Sequence, residues 1–199
     1  MSLAVFAYGS LVSAASAAET LGRPPRTSWP VGEAVPARLV GWRRRFSVAR
    51  DNRACEKTFA LDADGSLPAH VLGLNVEPTG ASDDLVNGLL VAISEAELNR
   101  LDERELRYDR REVTVDPVAA RERFETVITY VAKAEHRAAA APAGAVILRG
   151  YAAAVEAAFD RLGPGQLDEF WRSTGPYPVE LVDAHLVADR IADGNPRAW

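Results

Sequence analysis

Cysteine is almost missing from this chain: Cys55 stands alone among 199 residues. One thiol excludes an internal disulfide framework and a cysteine-based metal site, and leaves Cys55 the role of a buried or idle thiol. Histidine is nearly as scarce, and His70, His136 and His185 show no paired ligand spacing. No His-x-x-x-His, Cys-x-x-Cys or acidic calcium loop is present; Asp62-Ala63-Asp64-Gly65 starts like such a loop but lacks its later ligands. No metal site is expected. Positive charge is in deficit, with a net charge of −5, so the chain has no electrostatic footprint for nucleic acid. Its one basic run, Arg43-Arg44-Arg45, reads as a solvated strand end. No stretch approaches the ~18 apolar residues of a membrane helix. The N-terminus lacks the basic stretch and long apolar core of a secretory signal. The expectation is a cytoplasmic protein with no membrane or nucleic-acid partner; its oligomeric state stays open.

What the chain does have is apolar content, 48% of its residues, enough for one domain over residues 1–199 with a sizeable core. There is no internal repeat. Leu3 to Phe6 read as a buried strand, and Ser13 opens an alanine-rich helix. Residues 22–36, rich in proline and glycine, read as a loop. Val35–Ala49 reads as one long strand with Val40, Trp42 and Phe46 on a common face. Lys57–Leu61, Ala69–Val76 and Gly88–Ile93 are further strands. Ser94-Glu95-Ala96-Glu97 fits a capping box that starts a helix running to Glu105 or Leu106. Arg111–Val115 and Thr126–Ala132 read as strands that pair. Ile147–Leu162 reads as a helix stopped by Gly163-Pro164-Gly165, and Gln166–Ser173 as a short helix. Between Tyr177 and Ile191 helix and strand are not separable, and Pro196 and Trp199 are candidates to cover a core edge or a partner. Strands cluster in the middle of this order without long helices between them. That pattern predicts an α+β fold, a mixed sheet or small β-barrel with helices packed outside, rather than a doubly wound parallel sheet.

Two segments carry chemistry. In the first, Tyr8-Gly9-Ser10-Leu11 separates the first strand from the first helix. A strand, a tight turn and a helix start bring several backbone N–H groups to one mouth, which suits a carboxylate or phosphate. In the second, Leu98, Leu101 and Glu105 fall within about 60° of one another on a helix. Glu105 therefore lies on the apolar stripe, with Asp102 nearer its edge. Desolvation raises the pKa of such a carboxylate and suits it to general acid–base work near neutral pH. A purely structural role would pair it with Arg107 or Arg110.

The first segment resembles the Tyr-Gly-Ser-Leu/Asn signature of the γ-glutamylcyclotransferase-like superfamily. About 95 residues later, Leu101-Asp102-Glu103-Arg104-Glu105, then Tyr108 and Val113-Thr114-Val115, resembles its second motif. Leu39–Phe46 is similar to the strand after the family's first loop, and Tyr130 and Tyr151 stand where the family often has tyrosines. The resemblance spans about residues 3–160. Leu11 and Leu106, where many members have asparagine and glycine, are closer to the ChaC-type and plant AIG-like branches.

The resemblance implies an enzyme that cyclises a γ-glutamyl amide to 5-oxoproline and releases the free amine, without a metal or other cofactor. It assigns Glu105 as the catalytic acid–base. Tyr8, Gly9, Ser10, Leu11, Tyr130 and Tyr151 become substrate-binding residues, and the partner is a small γ-glutamyl molecule. Glutathione, a γ-glutamyl dipeptide, a γ-glutamylamine and a γ-glutamyl-protected metabolite all fit. Ser10 as a hydrolase nucleophile is the weaker reading, because Tyr8-Gly9-Ser10-Leu11-Val12 is not a Gly-x-Ser-x-Gly elbow. The alternative from another class is a non-catalytic binding module on the same fold, which has little need of a desolvated Glu105.

Overall fold

The computed structural model describes residues 2–116, 123–193 and 195–196. Trp199 lies outside them, while Pro196 is buried. Strands β1 (Leu3–Ala7), β2 (Ala34–Val40), β6 (Leu85–Ile93), β7 (Tyr108–Glu112) and β8 (Thr126–Ala132) form a five-stranded sheet in the order β2-β6-β1-β8-β7. A second sheet, β10-β9-β5-β3, contains β3 (Trp42–Asp51), β5 (His70–Pro78), β9 (Ala145–Leu148) and β10 (Leu181–Val182). Strand β4 (Lys57–Leu61) pairs with β11 (Ala184–Asp189). Among the described residues, four helices pack on these sheets: α1 (Ala14–Leu21), α2 (Glu95–Arg104), α3 (Arg149–Asp160) and α4 (Gln166–Ser173). The fold is mixed α+β, and its described strands pack as sheets without closing into a barrel. Among the described residues, no helix is long and apolar enough to cross a membrane.

Strand β1 is the centre of the five-stranded sheet. Its run Leu-Ala-Val-Phe-Ala is apolar throughout because both faces are covered. It pairs antiparallel with β6 and parallel with β8. Gly88 permits this packing: a Cβ there would stand 2.3 Å from the Ala7 carbonyl oxygen and 2.7 Å from the Phe6 ring. The core joins both larger sheets through Phe6, Leu72, Leu74, Leu90, Leu101 and Phe159.

Local sequence misleads at four places. The strand expected over Val35–Ala49 is two strands broken at Gly41, whose φ of +82° turns the chain. The break leaves Val40 49% exposed while Phe46 is buried, so they do not share a face. Arg44, expected in solvent, is fully buried. Its guanidinium stacks at 4.8 and 4.5 Å from the Phe159 and Phe170 ring centres and donates to Asn87, Ser173 and Thr174. Burial pulls its pKa down to about 9, which still leaves it charged at neutral pH. The helix expected from Ile147 begins only at Arg149, after the strand Ala145–Leu148. Strands β7 and β8 pair as expected, but β7 is Tyr108–Glu112, and Val113–Val115 follows it without strand structure.

Replacing Gly88 by alanine forces a methyl group into the β1 backbone. Gly88→Ala is expected to destabilise the protein by about 1–3 kcal/mol, measured as a lower urea midpoint at unchanged m-value.

Candidate active site

The site begins where β1 runs out. After Ala7 the chain passes through Tyr8 and Gly9 into a 3₁₀ turn, Ser10–Val12, and Ser13 then caps α1 by accepting the Ser16 N–H. The turn closes through Val12 N–H to the Gly9 carbonyl and Ser13 N–H to the Ser10 carbonyl. The first donors of such a turn have no partner within it, and the N–H groups of Ser10 and Leu11 are in that position. At Gly9 an added Cβ would meet Leu74 at 3.7 Å and the Tyr151 hydroxyl at 3.8 Å, ordinary contact distances. The protein alone therefore does not require glycine here; a methyl group would occupy space beside Tyr151.

The second segment arrives on α2. Ser94 and Glu97 form the full capping box at its start. Leu101 is buried in the core, and the helix ends at Arg104. Glu105 is thus the C-cap, at φ −89° and ψ 40°, and not the last helical residue on the stripe. Its N–H donates to the Leu101 carbonyl, and its own carbonyl accepts from Tyr108 N–H, each at 2.8 Å. The side chain retains 16% exposure, and burial raises its pKa above the ordinary 4.5 against the pull of Arg104 and Arg107.

Neither arginine that a purely structural role would pair with Glu105 is its partner. Arg107 binds Glu56 at 2.8 Å and Arg110 lies 3.3 Å from Asp102. The partner is Arg104, whose Nε lies 3.3 Å from Glu105 Oε1. Arg104 is buried and also donates to Ser10 Oγ at 2.8 Å and to Thr20 Oγ1. One guanidinium therefore joins the Tyr8–Leu11 turn, helix α1 and the carboxylate. The signal for Arg104 was present in the sequence: it falls three residues after Leu101, on the same stripe.

A small cavity of about 50 Å³ is lined by Tyr8, Gly9, Ser10, Leu11, Glu105, Tyr130 and Tyr151 together with Leu74 and Tyr108. All seven residues singled out from sequence thus meet at one place. Tyr108, part of the second motif, joins them as a wall residue that sequence reasoning did not assign to the site. Three of the four phenols give their protons to the protein. Tyr8 donates to the Tyr130 carbonyl at 2.7 Å, Tyr108 to the Leu74 carbonyl at 2.8 Å and Tyr130 to Asp102 Oδ1 at 2.8 Å. The Tyr151 hydroxyl oxygen instead faces the Leu74 N–H. Burial raises the pKa of all four, that of Tyr151 to about 12, so they are neutral donors at pH 7. No histidine lines this cavity; His185 is held by Asp62 at 2.6 Å, and Ser10 Oγ accepts from Arg104. A Ser–His nucleophile is therefore not assembled here. Among the described residues, no group of three or more His, Cys, Asp or Glu side chains is placed to hold a metal ion.

Residues 5–150 match the model of the family described as γ-glutamyl cyclotransferase, AIG2-like. The chain belongs to that family. Solved structures share the fold. A γ-glutamyl cyclotransferase is 15% identical, with a TM-score of 0.57 over 91% of this chain and 94% of that one. A yeast γ-glutamyl cyclotransferase specific to glutathione is 14% identical, with a TM-score of 0.52 over 87% and 97%. The Bacillus subtilis protein YkqA is 20% identical, with a TM-score of 0.57 over 89% of this chain; the chain spans only 56% of that protein's length. A search of the curated proteins found no match. At these identities the structures establish the fold alone.

Arg104→Met strips one buried cation of contacts to three elements and is expected to lower stability by about 3 kcal/mol. Thr20→Val, which removes one of those contacts, is expected to lower it by only about 1 kcal/mol. Chemical denaturation of the two variants measures both.

Proposed function

We propose that the protein converts a γ-glutamyl amide into 5-oxoproline and a free amine, with Glu105 as the proton carrier. The observation that carries this reading is a desolvated carboxylate sharing one narrow cavity with the Ser10–Leu11 backbone donors and the Tyr151 hydroxyl. Family membership supports it independently.

The reaction is intramolecular. The α-nitrogen of the glutamyl group attacks its own γ-carbonyl carbon, and the bond from that carbon to the leaving nitrogen breaks. Two protons move from the α-ammonium to the leaving nitrogen. Glu105 accepts the first, which frees the attacking lone pair, and returns it to the leaving nitrogen. It then relays the second as the ring nitrogen becomes an amide. A carboxylate with a raised pKa gives such protons back more readily than an exposed one.

The remaining work is orientation and charge. A narrow cavity that curls the glutamyl chain replaces a search among open conformers by one near-attack arrangement. The Ser10 and Leu11 N–H groups and the Tyr151 hydroxyl are the donors available for the substrate carboxylate and the developing oxyanion. Tyr8, Tyr108 and Tyr130 act differently: their protons are already committed, so they shape and dry the walls.

Glu105→Gln is expected to keep the fold and to lower 5-oxoproline release, read by mass spectrometry, by at least ~10². A variant as active as the wild type would remove Glu105 from the mechanism. Tyr151→Phe is expected to lower kcat about 10²-fold, the usual effect of one lost oxyanion donor. Protonation of Glu105 abolishes its role as base, so activity is expected to fall on the acid side at a pH above 4.5. Arg104 holds that pKa down, so the acid limb of Arg104→Met is expected at still higher pH; a limb at or below 4.5 in the wild type would contradict the assignment.

A further inference from the structure

A second and larger cavity, about 540 Å³, lies along the same strand, β5, as the one that holds Glu105. Consecutive residues line the two, Arg107 the larger and Tyr108 the smaller. The volume is within the usual range for a small-molecule site, yet the glutamyl chemistry described above makes no use of it.

Its polar lining is unevenly committed. Asp51 accepts the N–H groups of Arg53 and Ala54 at 2.7 Å each, and Glu56 accepts Arg107 at 2.8 Å. Glu135 is exposed to solvent. The basic groups are less occupied. His70 Nδ1 is buried with no hydrogen-bond partner among the described residues. His136 and Arg137 also line the cavity, and the backbone fixes the segment that carries them: Ala49 N–H donates to the His136 carbonyl at 2.9 Å, and Ala138 N–H to the Ser47 carbonyl at 2.8 Å. His70 on β5, with His136 and Arg137 on that fixed segment, fit a carboxylate, which accepts hydrogen bonds from all three.

Strand β5 sets the distance. His70 lines the larger cavity and Leu74 the smaller, on the same strand four residues apart, or about 13 Å at 3.3 Å per residue. An extended chain covers about 3.3–3.6 Å per residue, so about four residues span that distance.

We propose that the larger cavity is the subsite for the far end of the leaving amine, where His70, His136 and Arg137 take a terminal carboxylate carried about four residue lengths from the scissile amide. This rests on the cyclotransferase reading. The substrate class it names is an acidic-tailed γ-glutamyl peptide rather than a short γ-glutamylamine.

The test is a ladder of γ-glutamyl peptides bearing one, two, three or four alanines, each as the free C-terminal carboxylate and as the carboxamide. The readout is kcat and KM for 5-oxoproline release. The four-alanine carboxylate is expected to exceed the one-alanine compound in kcat/KM by about tenfold, through KM, with no such rise among the carboxamides. Arg137→Ala and His136→Ala are expected to flatten the rise at an unchanged circular dichroism spectrum. Equal kcat/KM for carboxylates and carboxamides at every length would overturn the subsite while leaving the cyclotransferase intact. So would a rise that survives both variants. No 5-oxoproline from any of the eight compounds would overturn the cyclotransferase reading and the subsite with it.

Discussion

The contact between Arg104 and Glu105 holds the candidate site together. A carboxylate that has lost most of its water is unfavourable unless a counter-charge stands beside it, and a buried guanidinium is unfavourable for the same reason. Each answers the other at 3.3 Å. Arg104 also donates to Ser10 and Thr20, so the Tyr8–Leu11 turn cannot shift relative to Glu105 without breaking a buried hydrogen bond. Two segments about 95 residues apart in sequence are thereby fixed to each other. The pairing is loose enough to leave the carboxylate basic: desolvation outweighs the arginines, and the net effect on Glu105 is a raised pKa.

Around that pair the walls are polar groups whose hydrogen bonds are mostly spent. Tyr8 and Tyr108 tie β1 and β7 to the backbones of β8 and β5, and Tyr130 ties β8 to Asp102 on α2. These bonds stiffen the cavity at the junction of the two larger sheets. They also separate the scaffold from the groups left over, which are the turn's first N–H donors and the Tyr151 hydroxyl. A preorganised site of this kind has little reorganisation to undergo when charge develops within it.

Much of this was legible in the chain, for physical reasons that differ by segment. Strand β1, the Ser94–Glu97 capping box and the stop at Gly163-Pro164-Gly165 depend on local chemistry, so local reading finds them. The meeting of Tyr8–Leu11 with Glu105, Tyr130 and Tyr151 rested on resemblance to a family pattern, since no local rule brings residues so distant together. What failed was tertiary. Arg44 looked like a surface charge because its burial depends on Phe159 and Phe170, more than 100 residues away. A helical wheel pointed any structural pairing of Glu105 toward Arg107 or Arg110 because it assumes helix at that position. Glu105 instead leaves the helix as its cap, and the arginine within reach is its own neighbour. Strands β10 and β11 were unreadable because they are short or half-exposed, and they take their form from β9 and β4.

The most direct test of the central claim is the titration of Glu105 itself. Carbon-13 spectra of glutamate-labelled protein, with Glu105→Gln used to assign the resonance, give its pKa without reference to any substrate. The account requires a value above the ordinary 4.5, because burial outweighs the two arginines that oppose it. A midpoint at or below 4.5 would make Glu105 the anionic half of a structural ion pair, and the carboxylate would then be too weak a base for the role given to it.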